Sequence, residues 1–240
     1  MKTSIYSELL LKSGAVNAVS LRVEGKPNFF SMRRNGSMNN VEAGNRVDFL
    51  GLIGFDENSV ARAEQVHGDK IAFVETAGNY SQTDALVTRK ENLLLTISVA
   101  DCVSILIYDR KLKAAAAVHA GWRGTAKEIS AKTLEFLFEE IHSKREDIVA
   151  FIGPSAGICC YEVGEEVAHN FPDEYVEPGS TRGKFMLDLK SANAAQLVGK
   201  GVPKENIEVS EHCSICDTNF HSFRRDGESS GRMLAAIAIK

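Results

Sequence analysis

The chain has 240 residues, 44% of them hydrophobic, and a formal net charge of −4 at pH 7. A chain of this length buries roughly 70–75% of its unfolded surface, so its core needs no disulfide or metal staples. The charge balance excludes a basic nucleic-acid binder, and the N-terminal MKTSIYSELLLKSG is too short in apolar residues for a signal peptide or membrane span.

One domain over residues 1–240 is the expectation at this length. With no targeting segment, the expected location is cytoplasmic. Five cysteines, an odd number in a reducing compartment, argue against a disulfide framework.

Taken in chain order, KIAFVET (70–76) reads as a strand. NLLLTISVADCVSILIYD (92–109) is too long for one strand and too β-branched for a helix. It predicts two strands with Ala100, Asp101 and Cys102 at the break. AAAAVHA (114–120) reads as a third strand, of small side chains. TAKEISAKTLEFLFEEIH (125–142) is amphipathic at helical spacing, with Leu134, Phe138 and Ile141 on one face. Thr125 and Glu128 fit a capping box at its start.

IVAFIGPSAG (148–157) predicts a strand running into a Gly-Pro turn, and VGEEVAHNF (163–171) a short helix. KFMLDLKSANAAQLVGKGV (184–202) predicts the start of a strand, then a helix ending near Gly199 or Gly201. NIEVSEHCSICD (206–217) predicts a strand and a polar loop. GRMLAAIAI (231–239) fits a helix or a strand equally. Strands that do not alternate strictly with helices favour an α+β layered sandwich over a doubly wound sheet.

Three metal-ligating side chains stand where apolar segments meet turns: His67 in EQVHGD, Cys102 in SVADC and His119 in VHAGWRGT. They lie too far apart in the chain to form a local zinc signature. If the fold gathers them, two histidines and a cysteine leave the fourth tetrahedral position open, which is the composition of a catalytic zinc site. Asp69, Asp84 and Asp101 adjoin these segments, as candidates to orient an imidazole or act as general base. The plainer reading is that strand-end histidines are satisfied structural residues and a buried cysteine is a small hydrophobe.

Around His119, Gly121 and Gly124 let backbone pass close to a metal or substrate. Arg123 offers a cationic fork, and Thr125 opens a helix whose amides can face an anion. Trp122 is either a core anchor or a platform for a base. Arg224 and Arg225 in SFRRDG either brace the site or face solvent. Cys213 and Cys216 have C-x-x-C spacing, but a structural zinc needs a second ligand pair. Only His221 and His212 stand nearby, so a second metal site is not expected.

QVHG, ADC, HAGWRGT, FIGPSAGICCYEVGEEV and HCSICDTNFHSFRRDGESSGRM follow one another in this order. Together, from about Phe29 to the C-terminus, they resemble the family long called multicopper polyphenol oxidoreductases, or the laccase domain. That family has been reassigned as purine nucleoside phosphorylases with adenosine deaminase activity, and it includes a peptidoglycan editing factor. The resemblance implies a layered α/β/β/α sandwich with mixed sheets. It implies a catalytic zinc, with copper as the alternative, on His67, Cys102 and His119, and Asp84 as the catalytic carboxylate beside it. It implies substrate contacts from Arg33, Arg123 and Cys160. Arg33 in SMRRNG falls in the position of the family's phosphate-contacting arginine, with Met32 where the family has threonine and Arg34 as the alternative.

The substrates so implied are a purine nucleoside and phosphate, with no nucleic-acid or membrane partner and the oligomeric state open. Two other readings compete. One is a copper-dependent polyphenol oxidase, for which six histidines are few. The other is a Cys102–His119 amidase-type hydrolase editing peptidoglycan precursors.

Overall fold

The computed structural model describes residues 3–23 and 40–240. The chain begins with β1 (Ser4–Ile5), α1 (Glu8–Lys12) and β2 (Ala15–Ser20), and resumes with α2 (Asn40–Leu52). Then come β3 (Val60–Glu64), β4 (Ile71–Phe73), β5 (Gly78–Ser81), β6 (Ala85–Thr88), β7 (Leu94–Val99), β8 (Val103–Asp109) and β9 (Ala114–Ala120). Helices α3 (Trp122–Ala126) and α4 (Ile129–Glu139) lead to β10 (Ile148–Ile152). After β11 (Glu162–Gly164) come α5 (Glu165–Ala168), β12 (Val176–Pro178), β13 (Lys184–Leu187) and α6 (Leu189–Gly199). The chain closes with β14 (Ile207–Val209), α7 (Phe223–Asp226) and β15 (Met233–Ile239).

Two six-stranded mixed sheets form, ordered β1-β2-β15-β7-β3-β5 and β14-β10-β8-β9-β6-β4, beside a three-stranded sheet β11-β13-β12. The inner strands of the second large sheet, β10, β8, β9 and β6, are buried on both faces, and their two-residue period sorts side chains between two cores. Leu106 and Tyr108 of β8, with Ala115 and Ala117 of β9, enter the core shared with the first sheet. Ile105, Ile107, Ala114 and Ala116 enter the core under α4 and α6. Each fully buried Ile or Leu contributes about 1.5–3 kcal/mol by area. α2 adds Phe49 and Leu50 to the first core. The fold is thus the layered α+β sandwich that the sequence implied.

The break between β7 and β8 falls at residues 100–102, as read from the sequence. The last segment resolves as strand β15, buried along its whole length between β2 and β7. A strand covered on both faces carries no alternation, which is why its sequence is ambiguous.

Three expectations are corrected. The strand at 70–76 is confined to Ile71–Phe73, and 163–171 begins as the end of β11 before the single turn of α5. The helix expected over 125–142 is two helices, parted at Glu128, whose φ of 61° is left-handed. Thr125 therefore caps nothing. It lies buried inside α3, where its hydroxyl accepts from Asn193 Nδ2 at 3.0 Å. Asn193 Oδ1 in turn accepts from Ser130 Oγ at 2.6 Å. This buried polar chain fastens α6 to both helices, and tertiary packing overrides the continuous helical pattern.

Candidate metal and substrate site

Strand pairing assembles the site. β8 and β9 pair antiparallel with Ser104 opposite His119, so Cys102, two residues before Ser104, reaches the same end of the sheet. β6 pairs with β9 from the other side, and the His119 amide donates to the Asp84 carbonyl at 2.8 Å. His67 lies between β3 and β4 with a left-handed φ of 59°. One donor atom from each of His67, Cys102 and His119 lies within 4.8 Å of the other two. The two imidazoles meet edge to face, with ring centroids 4.9 Å apart.

Asp84 is the buried anchor beneath this trio. Its carboxylate accepts the amides of Val66 at 3.2 Å, His67 at 3.0 Å and Gly68 at 2.8 Å, and pairs with His119 Nδ1 at 2.8 Å. One carboxylate thus fixes the His67 loop and turns His119 so that Nε2 is left to face the site. Burial alone would raise its pKa, but the His119 bond and the Gly68 and Val66 amides outweigh it and hold the carboxylate low.

Burial likewise works to raise the Cys102 thiol. The charge and hydrogen bond of His119, with His67 adding to them, bring it down to about 6. Burial works to lower His119, yet Cys102 and Asp84 raise it to about 9. In the metal-free site each partner thus favours the charged form of the other, a thiolate beside an imidazolium. An anionic sulfur and two imidazoles converging at this spacing fit a three-ligand zinc site with one position open.

The glycines around His119 answer to this geometry. A Cβ on Gly121 would stand 3.0 Å from Cys102 Sγ and 3.1 Å from the His67 ring. A Cβ on Gly124 would stand 3.0 Å from the Gly68 carbonyl. Trp122 packs against the core under α4, and the exposed Arg123 lies with Cζ 4.2 Å from the centroid of its ring. The helix expected to open at Thr125 opens instead after Gly121.

The other acids divide. Asp69 pairs with Lys132 at 2.5 Å and Lys127 at 3.5 Å. Asp101, with φ 84°, accepts from Ser214 Oγ at 2.7 Å and from the Arg224 amide at 2.7 Å, while its carbonyl accepts from Ala156 at 2.9 Å. It braces the loop that presents Cys102. Arg224 donates to the Glu162 carbonyl and lies 5.2 Å over the Tyr161 ring. Arg225 donates to the carbonyls of Ser214, Ile215 and Phe220.

Tyr161 was not singled out from the sequence. Burial, and then the Cys102 charge, push its phenol up to about 12. Its only sequence signal was an aromatic hydroxyl following two cysteines. Cys160 does not join the trio: its sulfur groups with those of Cys159, Cys213 and Cys216. Burial chiefly pushes the Cys160 thiol far up. Burial opposes ionisation of Cys213 too, but the amides of Cys216, Gly157 and Ile215 bring it down to about 7. Arg33, Arg34 and Met32 lie outside the described residues.

Residues 30–240 match the family model described as multi-copper polyphenol oxidoreductase laccase. A purine nucleoside phosphorylase of Bacteroides thetaiotaomicron is 40% identical over 190 residues, 76% of this chain and 65% of that protein. One from Clostridium acetobutylicum is 34% identical over 217 residues, 88% and 91% of the two chains. Adenosine deaminase RL5, from an unknown prokaryotic organism, is 34% identical over 212 residues, 81% and 80% of the two chains. The crystal structure of YlmD from Geobacillus stearothermophilus superimposes with a TM-score of 0.89 at 31% identity, covering 100% of this chain and 97% of that one. The Bacillus licheniformis protein YfiH gives 0.91 at 29% identity, with the same coverage. With the strand ends, the His–Cys–His trio and the matched motifs in agreement, the chain belongs to the multi-copper polyphenol oxidoreductase laccase family, whose relatives here carry the names purine nucleoside phosphorylase and adenosine deaminase.

Proposed function

We propose that this chain is a zinc-dependent purine nucleoside phosphorylase that also deaminates adenosine, both in the site of His67, Cys102 and His119. The observation that carries the reading is three donors gathered within 4.8 Å where strands meet loops, with Tyr161 near enough to feel the Cys102 charge. The relatives' names supply the substrate class. A zinc ion there supplies Lewis-acid polarisation, for a departing purine or for water.

The chain's own residues do the rest. Asp84 keeps a proton on His119 Nδ1 and so reserves Nε2 as donor; in this reading it acts through His119 and does not touch substrate. Tyr161 keeps its phenolic proton at neutral pH and offers it as a hydrogen bond. Arg123 offers a fork to phosphate or ribose, and Arg33 is assigned to phosphate on its motif. Cys160 serves the second cysteine group instead of the substrate. The copper-oxidase reading asks for more imidazoles: among the described residues, neither gathered group of donors holds more than two.

Adenosine with phosphate is expected to give adenine and ribose 1-phosphate; without phosphate it is expected to give inosine. His119→Ala is expected to lower both rates together, by a hundredfold or more if the Lewis acid is worth about 3 kcal/mol. Phosphorolysis surviving in that variant would separate the two activities. Copper-dependent phenol oxidation with no nucleoside turnover would restore the oxidase reading. The thiolate–imidazolium pair also suits a metal-free Cys–His hydrolase, which activity after exhaustive chelation would favour.

A further inference from the structure

We propose that Cys159, Cys160, Cys213 and Cys216 hold a second, structural zinc ion, separate from the site at His119. The four residues come from two loops, one after β10 and one after β14. Their sulfurs all lie within 4.8 Å of one another. Four sulfurs about 2.3 Å from a zinc ion form a tetrahedron with edges of roughly 3.8 Å. The group therefore closes on an ion with displacements of roughly an ångström or less. Four thiolates leave no open position, which marks a structural site and not a catalytic one.

The backbone is built around this sulfur group. Cys213 and Cys216 have C-x-x-C spacing, which lets two sulfurs of one turn reach the same ion. The Gly157 amide donates to the Cys213 sulfur at 3.2 Å. An amide directed at this sulfur suits a thiolate ligand. A side chain at Gly157 would crowd the sulfur group: a Cβ would stand 3.1 Å from Cys213 Cβ and 3.3 Å from Cys159 Sγ. The tetrathiolate complex is anionic, and two cations brace the loop around it. Lys190 Nζ donates to the carbonyls of Ser210 at 2.8 Å and His212 at 3.2 Å, and Arg225 donates to those of Ser214 and Ile215. All five cysteines are free of disulfides.

The ion would clamp the loop that supports Cys102. Ser155 bridges to Cys213, and the Ser214 amide donates to the Ser155 carbonyl at 2.9 Å. From these two loops, Ser214 Oγ and the Ala156 amide both reach Asp101, the residue before Cys102.

The full chain, purified without added metal, is expected to carry zinc that Cys102→Ala does not remove, about one equivalent per chain. Cobalt exchanged into Cys102→Ala is expected to show the intense red d–d bands and near-ultraviolet thiolate charge transfer of a tetrathiolate complex. Cys159 and Cys216 are exposed, yet in wild-type protein they are expected to resist alkylation until a chelator is added. Cys216→Ser is expected to lose this zinc. If that variant does not fold, alkylation mapped by mass spectrometry on wild-type protein decides the matter. Metal-free Cys102→Ala, imidazole-type cobalt spectra, alkylation of Cys159 and Cys216 without chelator, or a disulfide among the four would each overturn the proposal. None of these readouts depends on nucleoside turnover.

Discussion

His119 holds its place through three bonds of different kinds. Its amide is in the sheet, its Nδ1 is on Asp84, and its remaining nitrogen faces Cys102. This fixes the proton bookkeeping of metal uptake. Between about pH 6 and 9 Cys102 is already a thiolate while His119 still holds two protons. Zinc then displaces one proton, from Nε2, and leaves the one shared with Asp84. Affinity should rise by at least about tenfold per pH unit across that window, because this pair alone releases one proton per ion bound. Below it Cys102 must also deprotonate, so the slope steepens; above it these two groups release nothing and the curve levels. Calorimetry in buffers of different ionisation enthalpy, applied to the zinc binding that Cys102→Ala abolishes, reads the count directly. A flat affinity from pH 6 to 9 would mean that Cys102 and His119 are not ionised as described. At this scale the donor types and the flanking glycines were legible in the sequence. The way Asp84 anchors both His119 and the His67 loop was not, because those hydrogen bonds join three segments distant in the chain.

Among the elements, the break between α3 and α4 shows where local pattern yields to packing. Residues 125–142 carry continuous helical periodicity, yet Glu128 turns left-handed with φ 61°. The turn lets Thr125 and Ser130 both meet the Asn193 side chain of α6. A non-glycine residue in this region costs about 1–2 kcal/mol, less what glycine loses in unfolded-chain entropy. Glu128→Gly should therefore stabilise the protein by about 0.5–1 kcal/mol, seen as a higher urea midpoint at unchanged slope. A lower midpoint would show that the strain is offset by contacts of the glutamate side chain.

For the whole molecule, the sheet carrying Cys102 and His119 is sandwiched between two cores, and this explains the four alanines before His119. Ala114 and Ala116 face the helices while Ala115 and Ala117 face the other sheet, all fully buried. Ala116→Leu should cost about 1–3 kcal/mol through overpacking, measured by thermal or urea unfolding. It should weaken zinc binding at His119 as well, since β9 carries that ligand. Full stability in this variant would show room between sheet and helices that the burial denies.

The sequence alone determined the mixed α+β class and the split of 92–109 into two strands, both written in residue type and short-range spacing. It offered His67, Cys102 and His119 as candidate ligands through motifs that resemble a family, not through their spacing. Only the tertiary structure decided that β15 is a central strand and that one helix becomes two. It also decided that Asp84, and not Asp69 or Asp101, holds His119, and that Cys159 and Cys160 meet Cys213 and Cys216. Two physical reasons cover the four. A segment buried on both faces has no periodicity to read, and contacts between loops distant in the chain depend on strand order and register, which local patterns do not encode.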